Sequence, residues 1–519
     1  MLTWEFPPRI IGGLSTHVYF LSKSLARRDV RVQIITCDFP TLPKDEILNG
    51  VYVTRVNSSG ISYRDFLLWT HNMNSLMIEE ACEILDSNRF DLIHAHDWMV
   101  GRAALKLKIL YKLPLVTTIH STEIGRAEAV AAKSRMIQQD YQKVITNIEQ
   151  RLLNYSDRVI SCSNYMSGHI KRTFNIPANK INLIPNGVDC LRFNPSTNIR
   201  EQIMKSFRRR YSIPERSVNS KIILFVGRLV QEKGVHVLIT AFEKLTHNKK
   251  ISLNLIVVGE GPLRQRLMRK VEGLGLKKHV HFLGFVDDTT LISLYSSADI
   301  FVVPSLYEPF GIVALEAMSS RTPVVVSNVG GLAEIVNDGI TGLKFPPGDA
   351  DSLAAAITRI LEQPLLAESL TSKAYHESIN EYNWDLVAEK TLQTYNKLTV
   401  STDGIPMANS YSEEEEDEEI TQSSRGDFDE VCYLTDQGLL QVLFTLGATK
   451  EENSKSVCEI SNLISMSENS TKLSLGRLAA HGYVSVIALP RITTSELSSF
   501  DVSYHLTERG INGASADFS

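Results

Sequence analysis

Short apolar runs alternate with amphipathic stretches throughout residues 1–399, and this alternation restricts the fold more than any other feature. Strands are expected at Val32–Thr36, Val51–Arg55, Leu92–Ala95, Leu115–Ile119, Arg158–Ser161 and Ile181–Ile184. A second series follows at Ile222–Val226, Leu253–Val258, Val280–Leu283, Ile300–Val303, Pro323–Val326 and Gly342–Phe345. Continuous apolar strands separated by helical stretches belong to parallel α/β architecture, where helices cover both sheet faces. A polar, basic, proline-containing segment near residues 190–215 divides the series. The sequence therefore predicts two lobes, residues 1–195 and 205–383, with a cleft at the carboxyl ends of their strands.

The run Pro304-Ser305-Leu306-Tyr307-Glu308-Pro309-Phe310-Gly311-Ile312-Val313-Ala314-Leu315-Glu316 carries the chemistry. It sets two carboxylates, Glu308 and Glu316, around a predicted helix start. Pro309 suits a first helical turn, where its missing N–H costs nothing. Gly311 allows close backbone approach. The amides of such a turn attract anions. A glutamate pair on a helix is by default a solvated face. Here the flanking runs, Ile300–Val303 and Val324–Val326, read as buried strands, so the pair is expected at a site.

This arrangement resembles the E-x7-E motif of retaining glycosyltransferases of the GT-B fold, glycosyltransferase family 4. Other segments agree in the family's order: Gly12-Gly13, His94-Ala95-His96-Asp97-Trp98, Thr118-Ile119-His120, Ile184-Pro185-Asn186-Gly187-Val188-Asp189, Val226-Gly227-Arg228-Leu229 with Glu232-Lys233-Gly234, Val258-Gly259-Glu260-Gly261-Pro262, and Ser297-Ala298-Asp299. The opening Leu2-Thr3-Trp4-Glu5-Phe6-Pro7-Pro8 and the His-Ala-His-Asp-Trp run resemble the glycogen and starch synthase branch. That branch often carries Lys two residues before the Gly pair, where this chain has Ile10. The resemblance implies two Rossmann-like lobes, the first on the acceptor side and the second on the nucleotide-sugar side. It also implies a helix, residues 384–399, that returns to the first lobe. Family members usually open with a complete first strand; only Met1–Trp4 precedes the Gly-Gly loop here, so that strand is expected to be short.

The resemblance also implies roles. Arg228 and Lys233 would hold the donor phosphates, an expectation their place after a strand end supports, because a diphosphate leaving group needs positive stabilisation. Gly12 and Gly13 would present amides to the same diphosphate. Glu316 would bind the ribose hydroxyls, with Gly311 and Ile312 lining the donor site. Glu308, His120 and Asp97 are the expected catalytic set around the donor sugar. No metal is expected: His94 and His96 lack a third ligand. Asp349-Ala350-Asp351 reads as a helix N-cap, and Asp427-Phe428-Asp429 lies in an acidic linker. Gly259-Glu260-Gly261 lacks the third glycine of a dinucleotide fingerprint.

No apolar run is long enough to span a membrane, no leader pattern opens the chain, and six scattered cysteines suit a reducing cytosol. Net charge is −5, yet residues 400–430 hold −10 and residues 431–519 hold −3, which leaves about +8 on residues 1–399. A basic body suits an anionic ligand. Residues 400–430 read as a disordered acidic linker. Residues 431–515 resemble a small winged-helix domain, with helices at Gln437–Leu446, Val457–Met466 and Thr471–Ala480 and a wing formed around Gly482–Ile487 and Tyr504–Thr507. Its recognition helix offers only Lys472 and Arg477, so protein contact or self-association is expected above DNA binding.

The expected activity is cytosolic, retaining, metal-independent hexosyl transfer, glucose foremost, from a nucleoside-diphosphate sugar such as ADP- or UDP-glucose to a glucan or other sugar acceptor. The nucleotide sugar is a co-substrate, and no other cofactor is expected. Two alternatives stay open: a lipid or small-molecule acceptor, or a sugar-nucleotide sensor controlling the winged-helix domain.

Overall fold

A computed structural model describes residues 1–58, 66–130, 136–193, 220–246 and 252–399, the isolated positions 205 and 209, and strand segments at 455–456, 484–490 and 500–506. Among the described residues, no helix is long and apolar enough to cross a membrane.

The first lobe is built on β1 (Gln33–Cys37), β2 (Asp45–Leu48), β3 (Val51–Val56), β4 (Ile93–His96), β5 (Leu115–Ile119), β6 (Arg158–Ser161) and β7 (Ile181–Leu183). β4 to β7 pair in parallel, and β1 pairs in parallel with β3. The short opening segment joins these halves. Leu2 bridges both Ile35 and Ala95 in parallel, and its N–H donates to the His94 carbonyl at 2.8 Å. The first strand is therefore short, as expected, and lies at the centre of the sheet. β2 was not anticipated. It is an antiparallel edge strand with alternating partial exposure, too polar to stand out by apolarity.

The second lobe holds β8 (Ser220–Val226), β9 (Ser252–Val258), β10 (Val280–Gly284), β11 (Ile300–Val303), β12 (Val324–Ser327) and β13 (Leu343–Phe345). Their order is β10-β9-β8-β11-β12-β13, all parallel. This is the doubly wound order, with its reversal between β8 and β11. Crossover helices must leave to opposite faces there, which opens a crevice beyond the carboxyl ends. The apolar strand runs are buried on both sides: Ile223, Phe225, Val302 and Val325 face one core, and Leu224, Phe301, Val324 and Val326 the other.

The helix Trp384–Thr399 closes the structure by returning to the first lobe. It packs on α1 (Gly13–Ala26), where Trp384 stacks on Phe20 with ring centroids 5.6 Å apart. Leu14, Val18, Leu21 and Leu25 form the buried stripe of α1 at helical spacing. Tyr395 Oη lies 2.6 Å from His94 Nδ1, and Arg28 pairs with Asp385 at 2.9 Å.

One helix boundary differs from the sequence reading. The helix after β11 spans Ile312–Ser319, so Pro309 precedes it and Glu316 lies little more than one turn inside. Gly311 has φ +114°, a left-handed conformation no helix interior accepts. A Cβ there would also meet Leu332 Cδ2 at 2.5 Å. In the C-terminal region, Val484–Pro490 and Phe500–Leu506 pair antiparallel, and Lys455–Ser456 adds to the second of them. The helices expected there and the acidic linker lie outside the described residues.

Candidate active site

The reversal between β8 and β11 brings together two loops that are distant in sequence. Gly234, after β8, has φ +65°, and a Cβ on it would fall 1.8 Å from the Pro304 carbonyl oxygen. Only glycine lets these loops touch. Their contact sets Lys233 Nζ 2.7 Å from Glu308 Oε2. The same oxygen accepts from Ser305 Oγ at 2.9 Å. Glu308 is buried, so its charge is held by one cation and one hydroxyl.

Arg228 directly follows β8 and Gly227. Its guanidinium is exposed, with a long ion pair to Glu232 at 3.6 Å. The two expected phosphate-binding cations thus differ: Lys233 is committed to Glu308, while Arg228 is open to the cleft. Glu316 is held by Tyr295, whose Oη donates to Oε2 at 2.7 Å. Burial pushes Glu316 up to about 7, against the Tyr295 hydrogen bond, which favours the charged form.

The first lobe contributes the facing wall. Gly12 is the N-cap of α1, and no side chain caps the helix. A Cβ on Gly13 would lie 3.1 Å from Ile312 Cδ1, so the starts of α1 and of the helix Ile312–Ser319 meet across the cleft. The amide of Gly12 is not bare, contrary to expectation. Glu5 Oε2 accepts from the N–H of Ile11 at 2.6 Å and of Gly12 at 3.1 Å. Burial raises Glu5 to about 7, opposed by these two bonds and by the charge of Arg228 across the cleft.

Asp97 ends β4 with φ +60°, a conformation costly for a non-glycine residue. Its Oδ1 accepts from the N–H of His120 at 2.7 Å and of Ser121 at 3.4 Å. Asp97 therefore braces the loop that carries His120. Burial raises it to about 6, against those bonds. His120 is partly exposed, and burial holds it down near 3, so its imidazole is neutral. His96 Nδ1 lies 3.3 Å from His120 Nε2. His94 turns away, bonded to Tyr395 and, at 2.7 Å, to Thr118 Oγ1.

Asp349 caps the helix Ala350–Glu362, accepting from the N–H of Asp351 and Ser352 at 3.0 Å, which agrees with the N-cap expectation. The sequence reading missed Glu5, His17, Ser305 and Tyr295. Glu5 had served only as part of a branch signature, and His17 belonged to none of the motifs. Tyr295 carried no signal, because its partner lies on another helix. The two lobes also touch at Glu334, which accepts from the N–H of Asn164 at 2.9 Å and of Tyr165 at 2.7 Å. A carboxylate there complements the positive end of the helix Asn164–Phe174.

Residues 11–192 match the family described as Glycosyltransferase Family 4, and residues 208–377 match Glycosyl transferases group 1. An uncharacterized glycosyltransferase of Methanocaldococcus jannaschii is 39% identical over 397 residues, covering 76% of this chain and 97% of the relative. The glycogen synthase of Mycobacterium tuberculosis is 34% identical over 414 residues, covering 76% and 93%. Among solved structures, the sucrose-phosphate synthase of Thermosynechococcus elongatus superposes with a TM-score of 0.65 at 29% identity, covering 75% of this chain and 94% of that one.

Proposed function

The chain belongs to the group 1, family 4 glycosyltransferases of the GT-B fold, and from that premise we propose that it is a retaining, metal-independent hexosyltransferase that moves glucose from a nucleoside-diphosphate sugar to a glucan or other sugar acceptor. The observation that carries this reading is the convergence of Lys233, Glu308 and the uncapped start of α1 at the reversal of the second sheet. A cation, a buried acid and a helix start meet there, with the Ile11 and Gly12 amides held by Glu5 and Gly13 close against Ile312, a setting that suits a departing diphosphate and a reacting sugar. The choice of glucose and a glucan rests on similarity to the mycobacterial glycogen synthase.

In this reading the bond between the anomeric carbon and the diphosphate breaks, and its electron pair leaves on the phosphate oxygen. Arg228, Lys233 and the amides at the start of α1 stabilise that charge. Glu316 accepts hydrogen bonds from the ribose hydroxyls. Glu308 faces the sugar, where positive charge develops at the anomeric carbon. The neutral His120 offers a hydrogen-bonding ring nitrogen to the sugar, and Asp97 fixes its loop. A small-molecule acceptor is the second reading, because an α-maltose-1-phosphate synthase of Mycolicibacterium smegmatis is 28% identical over 411 residues.

The test is a screen of ADP-, UDP- and GDP-hexoses against glycogen, maltose, glucose 1-phosphate and inositol phosphate, with product anomers read by NMR and EDTA present throughout. The proposal expects an α-glucosyl product from ADP- or UDP-glucose on glycogen. An inverted product, or activity that EDTA abolishes and Mg²⁺ restores, would overturn it.

A further inference from the structure

Three imidazoles from three separate elements converge beside the glycine loop. His17 comes from α1, His96 from the end of β4, and His120 from the residue after β5. One ring nitrogen from each lies within 4.8 Å of the others. The ring centroids of His17 and His120 are 4.6 Å apart, and those of His17 and His96 are 5.5 Å apart. Nothing in the transfer reaction proposed above uses His17 or His96.

The hydrogen bonding around the cluster is incomplete. His17 Nδ1 lies 2.7 Å from Asn186 Oδ1. A carbonyl oxygen only accepts, so Nδ1 carries the proton and Nε2 holds a lone pair. That Nε2 is buried without a hydrogen-bond partner, and so is His96 Nε2. A buried polar atom left unpaired costs about 1–3 kcal/mol. Burial disfavours protonation of all three imidazoles. Neutral imidazoles with inward lone pairs repel a hydrogen-bond acceptor and attract a cation that takes nitrogen ligands.

We propose that His17, His96 and His120 form a site for one divalent transition-metal ion, Zn²⁺ foremost. Zinc binds histidine nitrogen at about 2.0–2.1 Å with tetrahedral preference, which sets ligand nitrogens roughly 3.4 Å apart. The His96 Nδ1 to His120 Nε2 separation of 3.3 Å already meets that span. His17 closes the triangle by bringing a separation of up to 4.8 Å down to that span, a shift of up to about 1.4 Å, and the fourth position is left to water. Without the ion, His96 Nδ1 and His120 Nε2 share a hydrogen bond; ligation through both displaces that proton to His96 Nε2, so the unpaired atom that the ion satisfies is His17 Nε2. Asn186 is the outer partner that fixes the His17 tautomer, the role such residues play at histidine metal sites. His120, the partly exposed member, provides the route from the cleft. The soft, nitrogen-only donor set disfavours Mg²⁺ and Ca²⁺, which take oxygen ligands.

A bound ion would occupy the His120 nitrogen that the proposed reaction turns toward the donor sugar. Zinc and donor therefore compete, a consequence that rests on the function proposed above, whereas the metal site itself does not.

The experiment is titration of the full chain with Zn²⁺ by calorimetry, repeated with Co²⁺ while recording the visible absorption of a tetrahedral complex. One ion per chain is expected, with the tetrahedral Co²⁺ spectrum. His17→Gln and His120→Gln should each weaken binding at least ~100-fold, and Asn186→Ala by ~10–100-fold. Far-UV circular dichroism establishes that each variant is folded; His120→Gln, at the least buried position, keeps the test open if the others unfold. Binding that is absent in the wild type, or unchanged in folded His120→Gln, would overturn the site. Histidine-dependent binding whose affinity UDP-glucose leaves unmoved upholds the site and instead removes the assigned contact between His120 and the donor.

Discussion

Lys233 Nζ stands 2.7 Å from Glu308 Oε2, although 75 residues separate them. The pair exists because β8 and β11 are neighbours at the reversal of the sheet, and because Gly234 lets their loops touch. Removing the lysine leaves a buried carboxylate whose one remaining side-chain partner among the described residues is the Ser305 hydroxyl. Removing Arg228 strips an exposed cation from the cleft and disturbs little else.

The two cations should therefore fail differently. Arg228→Ala is expected to lower turnover by about 100-fold or more, the size of losing one charge stabiliser, with the melting temperature unchanged. Lys233→Ala should lose as much turnover and also about 3–5 kcal/mol of stability, the cost of an unpaired buried charge. Steady-state kinetics with chemical denaturation separates the outcomes. Near-normal turnover in both folded variants would remove the proposed donor site.

Tyr295 and Glu316 make a prediction in pH. Glu316 sits at about 7, and its charged form is the better acceptor for ribose hydroxyls. The donor KM should fall as pH rises from 6 to 8. Tyr295→Phe removes a hydrogen bond that favours the charged form, so the fall should move to higher pH. A KM profile identical in both proteins would contradict the assignment.

The contribution of four buried acids to the stability of the ligand-free protein should fall as pH rises, while the buried imidazoles and the Met1 amine act in the opposite sense. Burial raises Glu5 and Glu316 from 4.5 to about 7, Asp97 from 3.8 to about 6, and Glu149 from 4.5 to about 8. A group with a raised folded value contributes fully below its unfolded value, and that contribution is lost as pH passes through the folded one. The window is about pH 4 to 8. Glu149 Oε1 accepts from the Glu123 N–H at 2.9 Å, while Oε2 is buried without a partner. Glu149→Gln keeps the acceptor and removes the charge. Thermal melts should show it more stable than wild type at pH 8, with the difference vanishing as pH falls below about 4.5.

A chain ending after residue 400 should stay folded and active. The helix Trp384–Thr399 is anchored on the first lobe by the Phe20 stack and by the Arg28 and His94 contacts, and every proposed site residue precedes it. Self-association, if the full chain shows it by light scattering, should be lost. A folded truncated chain without turnover would refute this.

The strands were legible in the sequence because each is a continuous apolar run, and a parallel sheet buries both faces of its members. β2 escaped for the opposite reason, being polar and at an edge. The residue types at Glu308, Glu316, Arg228, Lys233 and His120 could be read from their spacing and family resemblance. Their partners could not. Lys233 on Glu308 and His17 beside His96 and His120 join elements far apart in the chain, and Tyr295 reaches Glu316 from the preceding helix across a strand. Such pairs are decided by strand order, which no local pattern carries. The helix start at Ile312 shows the same division: Pro309 looked like a first turn, yet Gly311 is left-handed and the helix begins only after it. The sequence by itself determined which segments are buried and which chemical groups the chain owns. Only the tertiary structure decided which of those groups meet, because the sheet reversal and the glycine contacts act between residues that are neighbours in space alone.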